Sequence, residues 1–140
     1  MEITSTFWVL QDGEPAAWQL CCEQFNQARY FDCHELIEHR LWAPLPPGEQ
    51  KRFYQAVLQA AVGLHHLQRG NPTGARNKLR QSLEKLNAYA PETTPLGPGI
   101  KHLCDALADI LFQLEAHGLS AAQQRPAPQL LPYAAFFEPS

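Results

Sequence analysis

A chain of 140 residues with 45% apolar and 18% charged side chains can build one domain with its own core and is too apolar to be disordered. Its net charge of −3 argues against a general nucleic-acid binder, which carries a basic excess. No apolar run is long enough to span a bilayer and no charged-then-apolar leader opens the chain, so a cytoplasmic protein with no membrane partner is expected.

Residues 1–14 read as an extended lead-in whose Phe7, Trp8, Val9 and Leu10 can dock on the body. Asp12-Gly13-Glu14-Pro15 is a helix start with proline in the first turn, and helix 1 is expected from Ala16 to about Gln27, with Leu20, Cys21 and Phe25 inward. Helix 2 follows from about Arg29 to Trp42, stopped by Pro44, Pro46, Pro47 and Gly48. Helix 3, from about Glu49 to Arg69, carries Phe53, Val57, Ala60, Leu64 and Leu67 on one face, with Tyr54, Leu58 and Ala61 widening it. A helix so apolar, with Ala60, Ala61 and Gly63, is expected to be central and closely packed.

Gly70, Asn71 and Pro72 fit the end of one helix, the N-cap of the next and its first residue. Helix 4 then runs to about Ala90 on the stripe Ala75, Leu79, Leu83, Leu86 and Ala90. Residues 91–99 read as a loop, and helix 5 takes Ile100 to His117, with Leu103, Cys104, Leu107, Leu111 and Leu114 inward. Prolines 126, 128, 132 and 139 exclude a long helix beyond it. Leu130, Leu131, Tyr133, Phe136 and Phe137 suggest a tail pinned to the body or to a partner subunit, and Phe136 and Phe137 with Phe7 and Trp8 point to a homodimer.

The expected fold is therefore all-α: about five helices in antiparallel hairpins, one domain over 1–140, with a core over about 16–118 and a proline-rich docking tail over 119–140.

Charge is uneven along the chain. Residues 1–38 carry seven acidic side chains against Arg29, whereas 69–90 carry Arg69, Arg76, Lys78, Arg80 and Lys85 against Glu84. A solvated helix face is the simpler reading of the basic run, and an anion-binding patch is the other. Cys21, Cys22, Cys33 and Cys104 match no zinc spacing and read as small core residues of a reducing compartment.

The densest chemistry lies on helix 2. Asp32, His34, Glu35, Glu38 and His39 share a few turns with Tyr30, Phe31, Leu36, Ile37, Leu41 and Trp42. Residues four apart meet on a helix surface, so His34 and Glu38 form a pair, and so do Glu35 and His39. His34-Glu35-Leu36-Ile37-Glu38 is similar to the two-histidine zinc motif with Glu38 in place of the second histidine. His34 and Glu38 then supply two ligands for a divalent metal (Zn, Mn or Fe), Glu35 the catalytic base, and His66 of helix 3 the third ligand.

His66 shares a polar stripe with Gln55 and Gln59. The pocket so composed is Tyr30, His34, Glu38, Trp42, Gln55, Gln59 and His66, suited to a metal or a small polar ligand. The same groups also satisfy one another as a buried network that fixes the register of helices 2 and 3, and this structural reading is favoured because glutamine is an uncommon metal ligand. Glu38→Ala is then expected to strand buried donors. The functional expectation is a binding or interaction module for a small polar ligand or a protein partner; a metal-dependent hydrolase is the alternative.

His65 cannot serve one site with its neighbour His66, and His102 and His117 are expected in solvent. Asp105 and Asp109 lack the companions of a di-iron centre, and neither a phosphate loop nor a Gly-x-Ser-x-Gly elbow occurs.

One resemblance runs through these residues. Phe25-Asn26, the helix from Tyr30 through His34-Glu35 and Glu38 to Trp42, then Gln55, Gln59-Ala60-Ala61, His66 and Gly70-Asn71 with Gly74-Ala75 resemble the domain of unknown function 309 family. The match spans roughly residues 25–86. Asp32 stands where that family usually has Glu, Cys33 where it has Ala and Ala56 where it has Gly. The resemblance implies a compact helical protein without established function, sometimes labelled a predicted metal-dependent hydrolase.

Overall fold

Apolar residues three and four apart roll successive segments into helices whose buried stripes face one another. The structure, a computed structural model, describes residues 12–89 and 97–130. Among these, α1 runs Glu14–Asn26, α2 Tyr30–Leu36, α3 Glu49–Gln68, α4 Pro72–Leu86, α5 Gly97–His117 and α6 Leu119–Gln123. A π turn, Ile37–Trp42, continues α2, and a single 3-10 turn, Asn87–Tyr89, follows α4. The fold is all-α, with no strand among the described residues.

Helix α3 is central. It packs along α4, on α2 with its π turn, and on α6. Phe53, Tyr54, Val57, Ala60, Ala61 and Leu64 are buried on it, against Trp18 of α1, Leu79 of α4 and Ile37 and Leu41 of the π turn. Trp18 touches both Phe53 and Tyr54, with ring centroids 5.6 and 5.7 Å away. Buried small residues let α3 and α4 approach: a Cβ placed on Gly63 would lie 3.0 Å from the Leu79 side chain and 3.2 Å from its backbone nitrogen.

The α3–α4 turn follows the sequence. Gly70 takes φ 76°, a left-handed conformation that costs other residues energy, and Asn71 accepts a hydrogen bond from the Gly74 amide at 3.0 Å.

Four expectations are corrected. Helix 2 is not α-helical throughout, since from Ile37 the turns widen and Ala43 N–H donates to the carbonyl of Glu38, five residues back, at 3.0 Å. The cause is legible in the spacing. Ile37, Leu41 and Leu45 are all buried, and a stripe repeating every four residues drifts off one face of a 3.6-residue helix but stays inward on a wider one. Leu20 is 41% exposed, and Trp18 fills the inward position instead. Helix α5 starts at Gly97 rather than Ile100, and the short α6 was not foreseen.

Cys21, Cys22, Cys33 and Cys104 are free and buried. Burial raises the Cys21 and Cys22 thiols and pushes Cys104 up to about 11, so these three are inert packing groups at neutral pH.

The tail docks within the chain as far as it is described. Asn26 donates to the Leu130 carbonyl at 3.0 Å and accepts from its N–H at 2.7 Å, and Leu130 is buried. Phe7, Trp8, Ala90, Leu131, Tyr133, Phe136 and Phe137 lie outside the described residues.

Candidate functional site

The π turn, α3 and α4 border a groove of about 220 Å³, lined by Glu38, Trp42, Gln55, Leu58, Gln59 and Lys78. Glu38 and Trp42 come from the π turn, Gln55, Leu58 and Gln59 from α3, and Lys78 from α4. A broader depression of about 520 Å³ adjoins it, sharing Trp42 and Gln55 and adding Lys51 and Arg52. Trp42 is thus the wall common to both. The Lys51 ammonium lies 4.3 Å from the centre of its ring while donating to the Leu45 carbonyl at 2.8 Å, so the indole is held from one side.

Gln59 is buried and oriented by α4 rather than by α2. Its amide donates to Gln81 at 3.2 Å, and its oxygen accepts from Lys85 at 2.9 Å. Lys78 donates to the same Gln81 oxygen at 3.3 Å. Burial, then the charge of Arg52, and more weakly that of Lys78, hold Lys85 below the usual ammonium range, against the opposing pull of Glu84.

Glu38 reaches the groove from the other wall. Its carboxylate lies 3.1 Å from His34 Nε2, while Glu35 stands 3.7 Å from His34 Nδ1 and 3.5 Å from His39 Nε2. The two carboxylates are half-open to solvent, that of Glu38 by 44%, which is incompatible with a closed buried network.

His34, Glu35 and Glu38 each offer a donor atom within 4.8 Å of the others. As placed, however, the two carboxylates flank opposite nitrogens of one imidazole. An ion on Nε2 would meet Glu38 and have Glu35 behind the ring, in the position of an outer partner. That gives two protein ligands where a catalytic zinc site takes three. The donor set as arranged does not complete a resident metal centre.

His66 is not part of that cluster. Its Nδ1 lies 3.3 Å from the Asn71 amide, and its ring covers the first turn of α4 so closely that a Cβ on Gly74 would come within 2.8 Å of it. Tyr30 is buried with its ring edge-on to Phe25 at 5.4 Å, its hydroxyl pushed up to about 12 by burial and by Cys33. Of the seven pocket residues read from the sequence, Glu38, Trp42, Gln55 and Gln59 line one groove, His34 backs it, and Tyr30 and His66 do not line it. Lys78, Gln81 and Lys85 were missed as site residues; their signal was the basic run, with Lys78 and Lys85 seven residues apart on one helix face.

Among the described residues one acid is buried, away from the groove. Glu14, 6% exposed, accepts from the Tyr54 hydroxyl at 2.5 Å and from Gln50, and burial together with this partner raises the Tyr54 hydroxyl far above its usual range. This contact ties α1 to α3.

Comparison with known proteins agrees with the sequence. Residues 18–77 match the family described as Domain of unknown function (DUF309). The family resemblance is shown. The chain is also 32% identical over 93 residues to the uncharacterized protein YpuF of Bacillus subtilis (strain 168), covering 66% of this chain and 53% of YpuF. An uncharacterized protein of Aquifex aeolicus (strain VF5) is 30% identical over 59 residues, 42% of this chain and 17% of that protein. The chain thus spans about half of YpuF and a smaller share of the Aquifex protein. No solved structure matches the chain.

The segment that matches this family contains α2, the π turn and α3, and ends within α4 just before Lys78. It therefore includes every lining residue of the inner groove except Lys78.

Proposed function

We propose that this protein is a small-molecule-binding module whose ligand occupies the groove between the π turn and the α3–α4 pair. The observation that carries the reading is the composition of that groove: an indole wall, two side-chain amides, a carboxylate on one side and an ammonium on the other, all within about 220 Å³. A few convergent polar groups beside an aromatic face are the ordinary make-up of a site for a polar ligand. A wide π turn supplying two of the lining residues adds support, since such turns are frequent at functional sites.

The competing reading is a metal-dependent hydrolase with His34, Glu38 and His66 as ligands and Glu35 as base. Its donor set is incomplete as arranged, because His66 lies apart from His34 and Glu38.

The test is a thermal-shift panel of amino acids, carboxylic acids, sugars and sugar phosphates at millimolar concentration, run on the wild type and on Trp42→Ala. Saturation by one class at about 100 times its Kd should raise Tm by roughly 3 °C or more in the wild type and not in the variant. A panel without any stabilising compound overturns the reading. So does near-stoichiometric zinc, manganese or iron in protein purified without chelator, if helical circular dichroism survives its removal and a hydrolytic activity does not.

A further inference from the structure

The donors on the α3–α4 side of the groove are arranged as a ladder. Arg52, Gln55 and Gln59 follow one another at spacings of three and four on α3, and Lys78, Gln81 and Lys85 do so on α4. The two helices are joined across this edge by Lys85 to Gln59 at 2.9 Å and Gln59 to Gln81 at 3.2 Å.

Three cations of this edge have no carboxylate partner among the described residues. Arg29, Arg80, Lys101 and Arg125 each pair with an acid, while Arg40, Lys51, Arg69 and Arg76, like these three, do not; at the groove Lys78 and Lys85 reach only amide oxygens, and the Arg52 guanidinium makes no hydrogen bond among the described residues. The Gln55 amide is also without a hydrogen-bond partner although it lines both parts of the groove. The acid of the inner groove, Glu38, stands on the opposite wall and is engaged by His34, and Glu49 lines the outer depression with Lys51 and Arg52. Burial first, then the charges of Arg52 and Lys78 against the pull of Glu84, lower the Lys85 ammonium, and an anion that bridges the three cations relieves their mutual repulsion.

We propose that the ligand of this groove carries a compact dianion of the phosphate type, held at the α3–α4 edge by Arg52, Lys78 and Lys85, with its body against Trp42. This rests on the reading of the groove as a ligand site. It gives a use to the basic run over 69–90, whose other reading was a solvated face. Arg52 provides a planar fork suited to two phosphate oxygens, while the lysines act as point charges. The Gln55 and Gln59 amides complete the donor set. Lys51 already covers one side of the Trp42 ring, so the body of the ligand takes the part of the ring that lines the inner groove.

The experiment is isothermal titration of the intact protein with three probes: inorganic phosphate, phenyl phosphate and the neutral phenyl glucoside. Phenyl phosphate should bind, more weakly as salt is raised, and phenyl glucoside should not. Arg52→Gln and Lys85→Gln should each weaken it by roughly tenfold or more, and Lys101→Gln on α5 should leave it unchanged. Lys85→Gln also removes the donor to the buried Gln59 oxygen, so Arg52→Gln, whose guanidinium makes no hydrogen bond among the described residues, separates the anion contact from stability. Inorganic phosphate binding as tightly as the ester identifies the free ion as the ligand and supports the anion subsite.

Unchanged affinity in both Arg52→Gln and Lys85→Gln overturns the proposal. A neutral or zwitterionic compound that binds in a Trp42-dependent manner, while neither phosphate does, overturns the anion class and leaves the groove reading standing. Failure of every probe and of the thermal-shift panel overturns both.

Discussion

Glu38 shows how far a residue can be read from its neighbours in sequence. Its pairing with His34 follows from the four-residue spacing and is present at 3.1 Å. Its burial does not follow, because the next helix covers only one side of it. The expectation that Glu38→Ala strands buried donors therefore gives way to a different one. With 44% of its side chain exposed, Glu38 contributes a surface-type pair, and both Glu38→Ala and Glu38→Gln should change unfolding free energy by only about 0.5 kcal/mol or less. Denaturant melts check this, and a loss well above that range in Glu38→Ala alone would restore the closed network. Gln59 is the converse case. Its polarity on an apolar helix marked it from sequence, but the residues that orient it, Gln81 and Lys85, lie more than twenty positions away and become neighbours only when α3 and α4 pair.

At the scale of elements, the α3–α4 hairpin is the firmest part of the account. Gly70, Asn71 and Pro72 announced its turn, and the stripes on both helices announced its packing. Gly63 tests that packing, because two effects oppose each other there. Glycine to alanine in a helix interior gains up to about 1 kcal/mol from backbone entropy, whereas overfilling a packed contact costs about 1–3 kcal/mol. The added Cβ would meet both the side chain and the backbone of Leu79, which is fully buried and has little room to move. Gly63→Ala should therefore lower stability by about 1 kcal/mol or more in chemical denaturation, and a stabilised variant would show that the two helices can part. The π turn was legible in hindsight as a four-residue repeat of Ile37, Leu41 and Leu45, but helix patterns are ordinarily matched to a 3.6-residue period, which the same residues satisfy for one turn. Trp18 was missed for a related reason: on a helix as short as α1, the apolar arc admits either Leu20 or Trp18, and the aromatic contacts with Phe53 and Tyr54 decide it.

Across the whole molecule, the described helices are held by apolar packing around α3, without disulfides. No helix among the described residues is long and apolar enough to cross a membrane. Stability should depend on pH through His65. Burial, then Arg69, His66 and His34, lower its pKa in the folded protein from 6.5, so protonation favours the unfolded chain. The contribution is present above the unfolded value and is lost as pH falls through the folded one. Melting temperature should thus fall less between pH 7 and pH 5 in His65→Gln than in the wild type, and equal slopes would remove His65 as the cause. The fold class and the helix order were legible because periodicity is local. The groove was legible only by half, since Glu38, Trp42, Gln55 and Gln59 announce themselves while their cationic partners on α4 resemble any solvated helix face.

The central claim is that this groove is a ligand site rather than a by-product of packing. Side-chain 1H–15N spectra during titration with phenyl phosphate test it most directly, because the Trp42 indole and the Gln55 and Gln59 amides each give a resolved probe on a different part of the wall. The account predicts saturable shifts of all three at the same ligand concentration, absent in Arg52→Gln at that concentration. Shifts confined to side-chain amides outside the groove, such as those of Gln68 and Asn71, or no shifts at millimolar ligand, would contradict it.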